Sequence, residues 1–356
     1  MACILLSACF LSLNVRAVSL EDTLGLDSLT EELPEEASRY MSGLKPEELP
    51  GQGILDDLVT AALSSAEDEL AAVTKTARLL LTVCVIVSLA DALELGSAQI
   101  QCVFFAGIAA IGAAGMGDLD SFLRLGTESL HKAAEYAKVV LPVLSASAAA
   151  GGAAAGAAAR YAATALFLSV LLDAADLVIL PCISGLAALS LADAAIGNNV
   201  LKSAKKLLKR ICELLLTGLC LGFTAWLTLT GAVSDPADAF AARAAKTAIS
   251  TALPVVGGIL SDAAGTLSAA AGVLRGSIGV FGILALAYIC IGPLAALGVR
   301  YLAYKLAAVF CCCVSDKRLT KLVEDLGSCF GLILALNGAG AMMLFFSLYS
   351  LIRTAV

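Results

Sequence analysis

Long apolar runs recur through this chain, and several approach the length of a bilayer. A helix needs about 20 consecutive apolar residues to cross the hydrocarbon core. Runs of that kind lie at about 77–95, 100–116, 139–159, 164–180, 182–196, 211–229, 280–299 and 326–351. A soluble fold would have to bury all of them in two outsized cores. The balance of residues argues against that: 60% are hydrophobic and 15% charged, where soluble domains carry about 25% charged residues. The sequence therefore predicts an all-α polytopic membrane bundle over residues 75–356.

One stretch between these runs fits neither a soluble helix nor a span. Lys246 to Gly282 carries Pro254 near its middle, Gly257 and Gly258 just after, and small residues nearly throughout. Polar groups recur in it, among them Lys246, Asp262 and Arg275. Proline removes a backbone donor and glycine favours bends, so the helix should break at Pro254–Gly258. Non-helical backbone beside membrane spans survives only where protein or water satisfies its polar groups. A broken-helix region over residues 236–277 is expected, built of two short helices, 236–253 and 259–274, at or dipping into the membrane.

The N-terminus reads as a signal sequence over residues 1–19, with an apolar run from Ile4 to Leu13 and small residues near Ala17. Leu6–Cys9 also resembles a lipobox, although the apolar run before Cys9 is short. Residues 20–74 form an acidic arm, expected outside the cytoplasmic membrane. It is either a solvated arm or a folded region with an amphipathic helix from Ile54 to Leu70.

Three features inside the apolar region stand out. Ser145–Ala159 is almost entirely Ala and Gly. Such a helix can approach its neighbours closely, as small-xxx-small helices do; a compositional drift would give the same tract. Asp173 and Asp176 interrupt the run after Thr164. Each acid costs about 2.5–3.5 kcal/mol at mid-span, against about 0.3–0.6 returned per large apolar residue. They are expected to face the bundle interior or water. With Asp193 they are the candidate functional acids, lining a polar path or pairing with Arg160 or another buried cation. Third, Lys202, Lys205, Lys206, Lys209 and Arg210 form the densest basic cluster. It marks a cytoplasmic anchor by the positive-inside rule, or a dock for a cytoplasmic ATPase. Arg300, Lys305, Lys317, Arg318 and Lys321 repeat that signature.

Parity links these marks. With the arm outside, three spans reach the cytoplasm near Arg160, yet Lys202–Arg210 must be cytoplasmic as well. The run 164–195 is then either a hairpin bent near Pro181 or one long kinked helix. The hairpin satisfies the rule, gives eight crossings, and puts residues 231–277 and the C-terminus outside.

From Lys138 to the C-terminus the chain resembles the stage III sporulation protein AE family of endospore-forming bacteria. The matching residues are Ala245-Lys246, Pro254-Val255-Val256-Gly257, Asp262-Ala263-Ala264 and Gly279-Val280 with Gly282, in that order. Leu141-Pro142-Val143-Leu144 and Leu180-Pro181 fit the surrounding plan. The resemblance implies a membrane component of the channel, or feeding tube, between mother cell and forespore. It would sit in the outer forespore membrane with its arm in the intermembrane space. The implied partners are the other stage III A-operon proteins and, through them, the forespore channel protein. Together with Gly258, the matched residues are the candidate assembly contacts, with self-association and lipid as further partners.

No catalytic constellation emerges. His131 is the one histidine, and Cys311-Cys312-Cys313 are adjacent on a helix and point apart. Neither His nor CxxC spacing indicates a metal. No cofactor is expected, and the absence of a basic patch mixed with aromatics speaks against nucleic acid. An alternative is a secondary transporter using Asp173 and Asp176. Its repeated halves would have to be centred on Pro181 and Pro254, whose flanks do not otherwise repeat.

Overall fold

A computed structural model describes Pro34, Ala37, Ser38 and residues 54–93, 97–150, 154–252, 257–314 and 316–353, with backbone alone for 230–252 and 257–277. Every element among them is helical: α1 (Ile54–Ala92), α2 (Ser97–Ala150), α3 (Ala154–Ala174), a π-turn (Ala175–Ile179), α4 (Leu180–Ile196), α5 (Asn199–Ala252), α6 (Gly257–Val314) and α7 (Lys317–Arg353). The signal sequence, most of the arm, and Pro254, Val255 and Val256 lie outside the described residues.

Six of the described helices, with α3 to α4 counted as one, are long and apolar enough to cross a membrane. Their directions follow from side chains that meet. Ser65 stands beside Gly292, Glu69 binds Arg300 and Cys84 meets Cys311, so α1 and α6 run parallel. Asp118 binds Tyr304 and Val140 packs on Gly282, so α2 is antiparallel to α6. Tyr301 covers Gly331 and Ile352 covers Gly279, so α7 is antiparallel too. Leu191 lies on Gly112, Phe167 on Gly222, and Lys205 on Asp193, which sets α3–α4 against α2 and α5. The result is an up-and-down bundle with two distinct ends. One holds the α4–α5 and α6–α7 turns with both basic clusters. The other holds the start of α1, the α2–α3 and α5–α6 connections, and the end of α7.

This layout corrects the expected spans. The segment 100–116 and residues 139–150 of the next one belong to a single helix of 54 residues, α2, while 154–159 begin α3. The mixed polar stretch between them stays helical because one of its faces is buried, with Leu119, Phe122, Leu130, Ala133 and Tyr136 in the core. At 1.5 Å per residue the helix is about 80 Å long, well beyond the roughly 30 Å of a hydrocarbon core.

The hairpin at Pro181 does not form either. Leu180 N–H bonds back to Ala175 O across five residues, and the wider π-turn precedes Pro181 at the first turn of α4. A proline inside a regular helix loses one bond and clashes with the preceding turn. At the first turn its missing N–H costs little, so the chain continues instead of turning back. Merging two spans and removing the hairpin leaves six candidate crossings in place of eight. The arm side of α1, the α5–α6 connection and the C-terminus still share one end. Arg160, however, lies at that end, away from Lys205.

Of the break expected at Pro254–Gly258, Pro254, Val255 and Val256 lie outside the described residues, while Gly257 and Gly258 begin α6. Two separate short helices are not present. Residues 236–252 continue α5, and 257–277 continue α6 without interruption.

Two apolar cores fill the bundle. Toward the basic end, Phe122 and Phe330 meet edge to face at 5.5 Å, with Tyr304 stacked at 4.6 Å. Toward the other end, Val140, Leu144, Phe281, Ala285, Leu344 and Leu348 close a second core.

Candidate functional site

Two polar clusters interrupt these cores. The first lies where α4, α5 and α7 meet. Lys205 is 6% exposed and Asp193 5%. Lys205 Nζ donates to Asp193 Oδ2 at 2.8 Å and to Asp325 Oδ2 at 2.5 Å. Asp193 Oδ1 is buried with no hydrogen-bond partner. Local sequence places these groups. Gly197 takes a left-handed φ of 73°, which ends α4 with its N–H on Asp193 O. Asn198 caps α5 by accepting from Val200 N–H, so the two-residue turn fixes Lys205 opposite Asp193. Asp316 Oδ1 accepts from Arg318 N–H and caps α7 in the same manner.

The second cluster joins α1, α2 and α6. Arg300 Nη2 donates to Glu69 Oε2 at 2.6 Å, and Nη1 lies 3.5 Å from Asp118 Oδ1. Tyr304 donates its hydroxyl to Asp118 Oδ2 at 2.9 Å. The guanidinium lies 3.8 Å over the Phe122 ring. Arg300 is buried, not a loose topology mark, and its Nε has no hydrogen-bond partner. Buried charges of this kind are tolerated when paired and hydrogen-bonded.

The sequence-predicted residues are dispersed. Of the basic anchor, Lys205 is buried and Lys202 half-buried, while Lys206, Lys209 and Arg210 are exposed. Asp173 and Asp176 lie on the outer surface, not the interior, with His131 Nε2 at 3.5 Å from Asp176 Oδ2. The acids lie more than three turns along the same helix from Arg160, too far to pair at about 1.5 Å per residue. The expected partner, a buried cation, is found by Asp193 instead. Gly279 and Gly282 are buried where α6 meets α7 and α2. A Cβ on Gly279 would collide with Ile352, and one on Gly282 would stand 2.9 Å from Val140. Lys246, Gly257, Gly258 and Asp262 lie on described backbone, in the last turns of α5 and the first turns of α6.

Cys311 is buried with its sulfur 2.8 Å from that of Cys84, while Cys312 and Cys313 are exposed. Among the described residues no group of three or more His, Cys, Asp or Glu is placed to hold a metal. Asp118, Asp325 and Tyr304 were not foreseen. Their partners lie 120 to 186 residues away, and spacing along one chain carries no sign of such pairing.

The model of the stage III sporulation protein AE family matches residues 37–355. The chain belongs to that family. No curated protein and no solved structure shows detectable similarity to it. The match extends into the N-terminal region beyond Lys138, where the sequence motifs begin. A sporulation role in a membrane protein follows from the family and from the six apolar helices.

Proposed function

We infer that this protein is a structural membrane component of a channel-like complex between mother cell and forespore, and that it acts by assembly, not catalysis. The family membership carries the reading. The geometry agrees with it, because the polar clusters are ion pairs that lock helices together. In this reading both basic clusters face the mother-cell cytoplasm by the positive-inside rule. The arm, the α5–α6 connection and the C-terminus face the intermembrane space, where the other stage III A-operon proteins and the forespore channel protein would be met. The surface of the α5–α6 connection, from Lys246 through Pro254, Gly257 and Gly258 to Asp262, is the proposed contact, and copies of the chain associate there or along α6.

The transporter alternative gains no support from the position of Asp173 and Asp176, which lie on the outer surface. Purification of a tagged protein from sporulating cells, together with reconstitution of the isolated protein into vesicles, separates the two. The assembly role predicts co-purifying sporulation membrane proteins and no solute uptake by the protein alone. Uptake by the isolated protein, with no partner retained, would overturn it.

A further inference from the structure

The α4–α5 and α6–α7 turns lie side by side and line a half-open cavity of about 210 Å³. Its walls carry five cations, Lys202, Lys205, Lys317, Arg318 and Lys321, against two carboxylates, Asp193 and Asp325. The surplus is three positive charges on a chain whose net charge is −7. Lys205 is already committed to both carboxylates. The other four cations have no carboxylate partner among the described residues, although Arg318 also faces the Phe104 ring at 5.9 Å. Four like charges around one cavity repel each other unless an anion joins them.

Gly197 lies at the mouth. A side chain there would stand 3.5 Å from the Arg318 guanidinium, on backbone that already has a left-handed φ. Close to the turn in sequence, Ile196 is 69% and Val200 70% exposed. A cationic cavity with exposed apolar side chains near it, at the end of a set of membrane helices, matches an anionic lipid better than a soluble anion. Basic pockets between spans on the cytoplasmic side are suited to phosphorylated head groups.

The geometry points to a phosphate-binding site here, occupied by the phosphodiester head group of an anionic phospholipid. Lys202, Lys317, Arg318 and Lys321 contact the phosphate oxygens, and the acyl chains lie over Ile196 and Val200. Arg318 can contact two oxygens at once, which a lysine cannot. The site rests on the reading of the chain as a membrane bundle and is independent of the channel role.

Native mass spectrometry of the full-length protein in detergent tests it, with phosphatidylglycerol, phosphatidylcholine of matched chains, and inorganic phosphate as probes. Phosphatidylglycerol is expected to be retained at least tenfold better than phosphatidylcholine. Removing one cation should lower retention about fivefold, the equivalent of about 1 kcal/mol per charge near an anionic surface. Arg318→Gln with Lys321→Gln should then cost about 25-fold, and Lys206→Gln, outside the cavity, should cost little. If the first pair aggregates, Lys202→Gln with Lys317→Gln removes the same charge, one cation from α5 and one from α7. Equal retention of the two lipids, or full retention by either double variant, would overturn the site. Inorganic phosphate binding as tightly as phosphatidylglycerol would overturn the lipid assignment.

Discussion

Replacing Lys205 with Met removes the cation that holds Asp193 and Asp325 together. At 2.8 Å, with an effective dielectric of about 20, each contact is worth about 6 kcal/mol of attraction, most of it offset by the cost of taking the charges out of water. What the substitution leaves is decisive. Asp193 is 5% exposed and would face Asp325 with no positive charge between them. Breaking a buried pair in this way costs about 3–5 kcal/mol, or roughly two to three and a half orders of magnitude in the folded population. Lys209 provides the control: it pairs at 4.0 Å with Glu213 on the exposed face, where such pairs give about 0.3–0.5 kcal/mol. Unfolding in mixed micelles, followed by circular dichroism, should show a large loss for Lys205→Met and almost none for Lys209→Met. Adding Asp193→Asn and Asp325→Asn should restore much of the loss, since uncharged groups need no counter-ion. A Lys205→Met protein as stable as the native one, or a triple variant no better than the single, would refute the triad as a structural lock.

Other consequences follow from the same geometry. Arg300→Lys should destabilise by about 1–3 kcal/mol in the same unfolding measurement, because a lysine cannot replace the planar contacts to Glu69, Asp118 and the Phe122 face. Tyr304→Phe removes one hydrogen bond to Asp118 and should cost about 1 kcal/mol. Gly279→Val and Gly282→Leu should each cost about 1–3 kcal/mol by overpacking against Ile352 and Val140, with membrane insertion intact by fractionation. Mild oxidation should join Cys84 to Cys311 within one chain, detected as linked fragments after cleavage between α1 and α6. Failure to link them in the native protein would contradict the parallel register of those helices.

Much of the bundle was legible in the apolar runs, because burial in lipid demands unbroken helices and marks them by composition. What stayed hidden depended on contacts. Nothing in the polar stretch after Gly117 tells that Asp118 is held by Arg300 and Tyr304 from a distant helix. Pro181 left a hairpin and one long helix both open, and the helix forms because a π-turn upstream absorbs the proline. Lys205 resembled its exposed neighbours Lys206 and Lys209 in sequence; only the tight turn at Gly197 and Asn198 shows why it alone is buried. Asp193 was recognisable as an acid in an apolar run, whereas its partner was not.

The proposed assembly role is tested most directly at the α5–α6 connection. Tagged proteins carrying Gly257→Leu or Gly258→Leu would be purified from sporulating cells beside the native protein, with membrane insertion and helix content checked in each. The account predicts that the native protein retains its sporulation partners, and that the variants insert normally but lose them. Full retention of partners by both variants would contradict it and reduce this stretch to a connector.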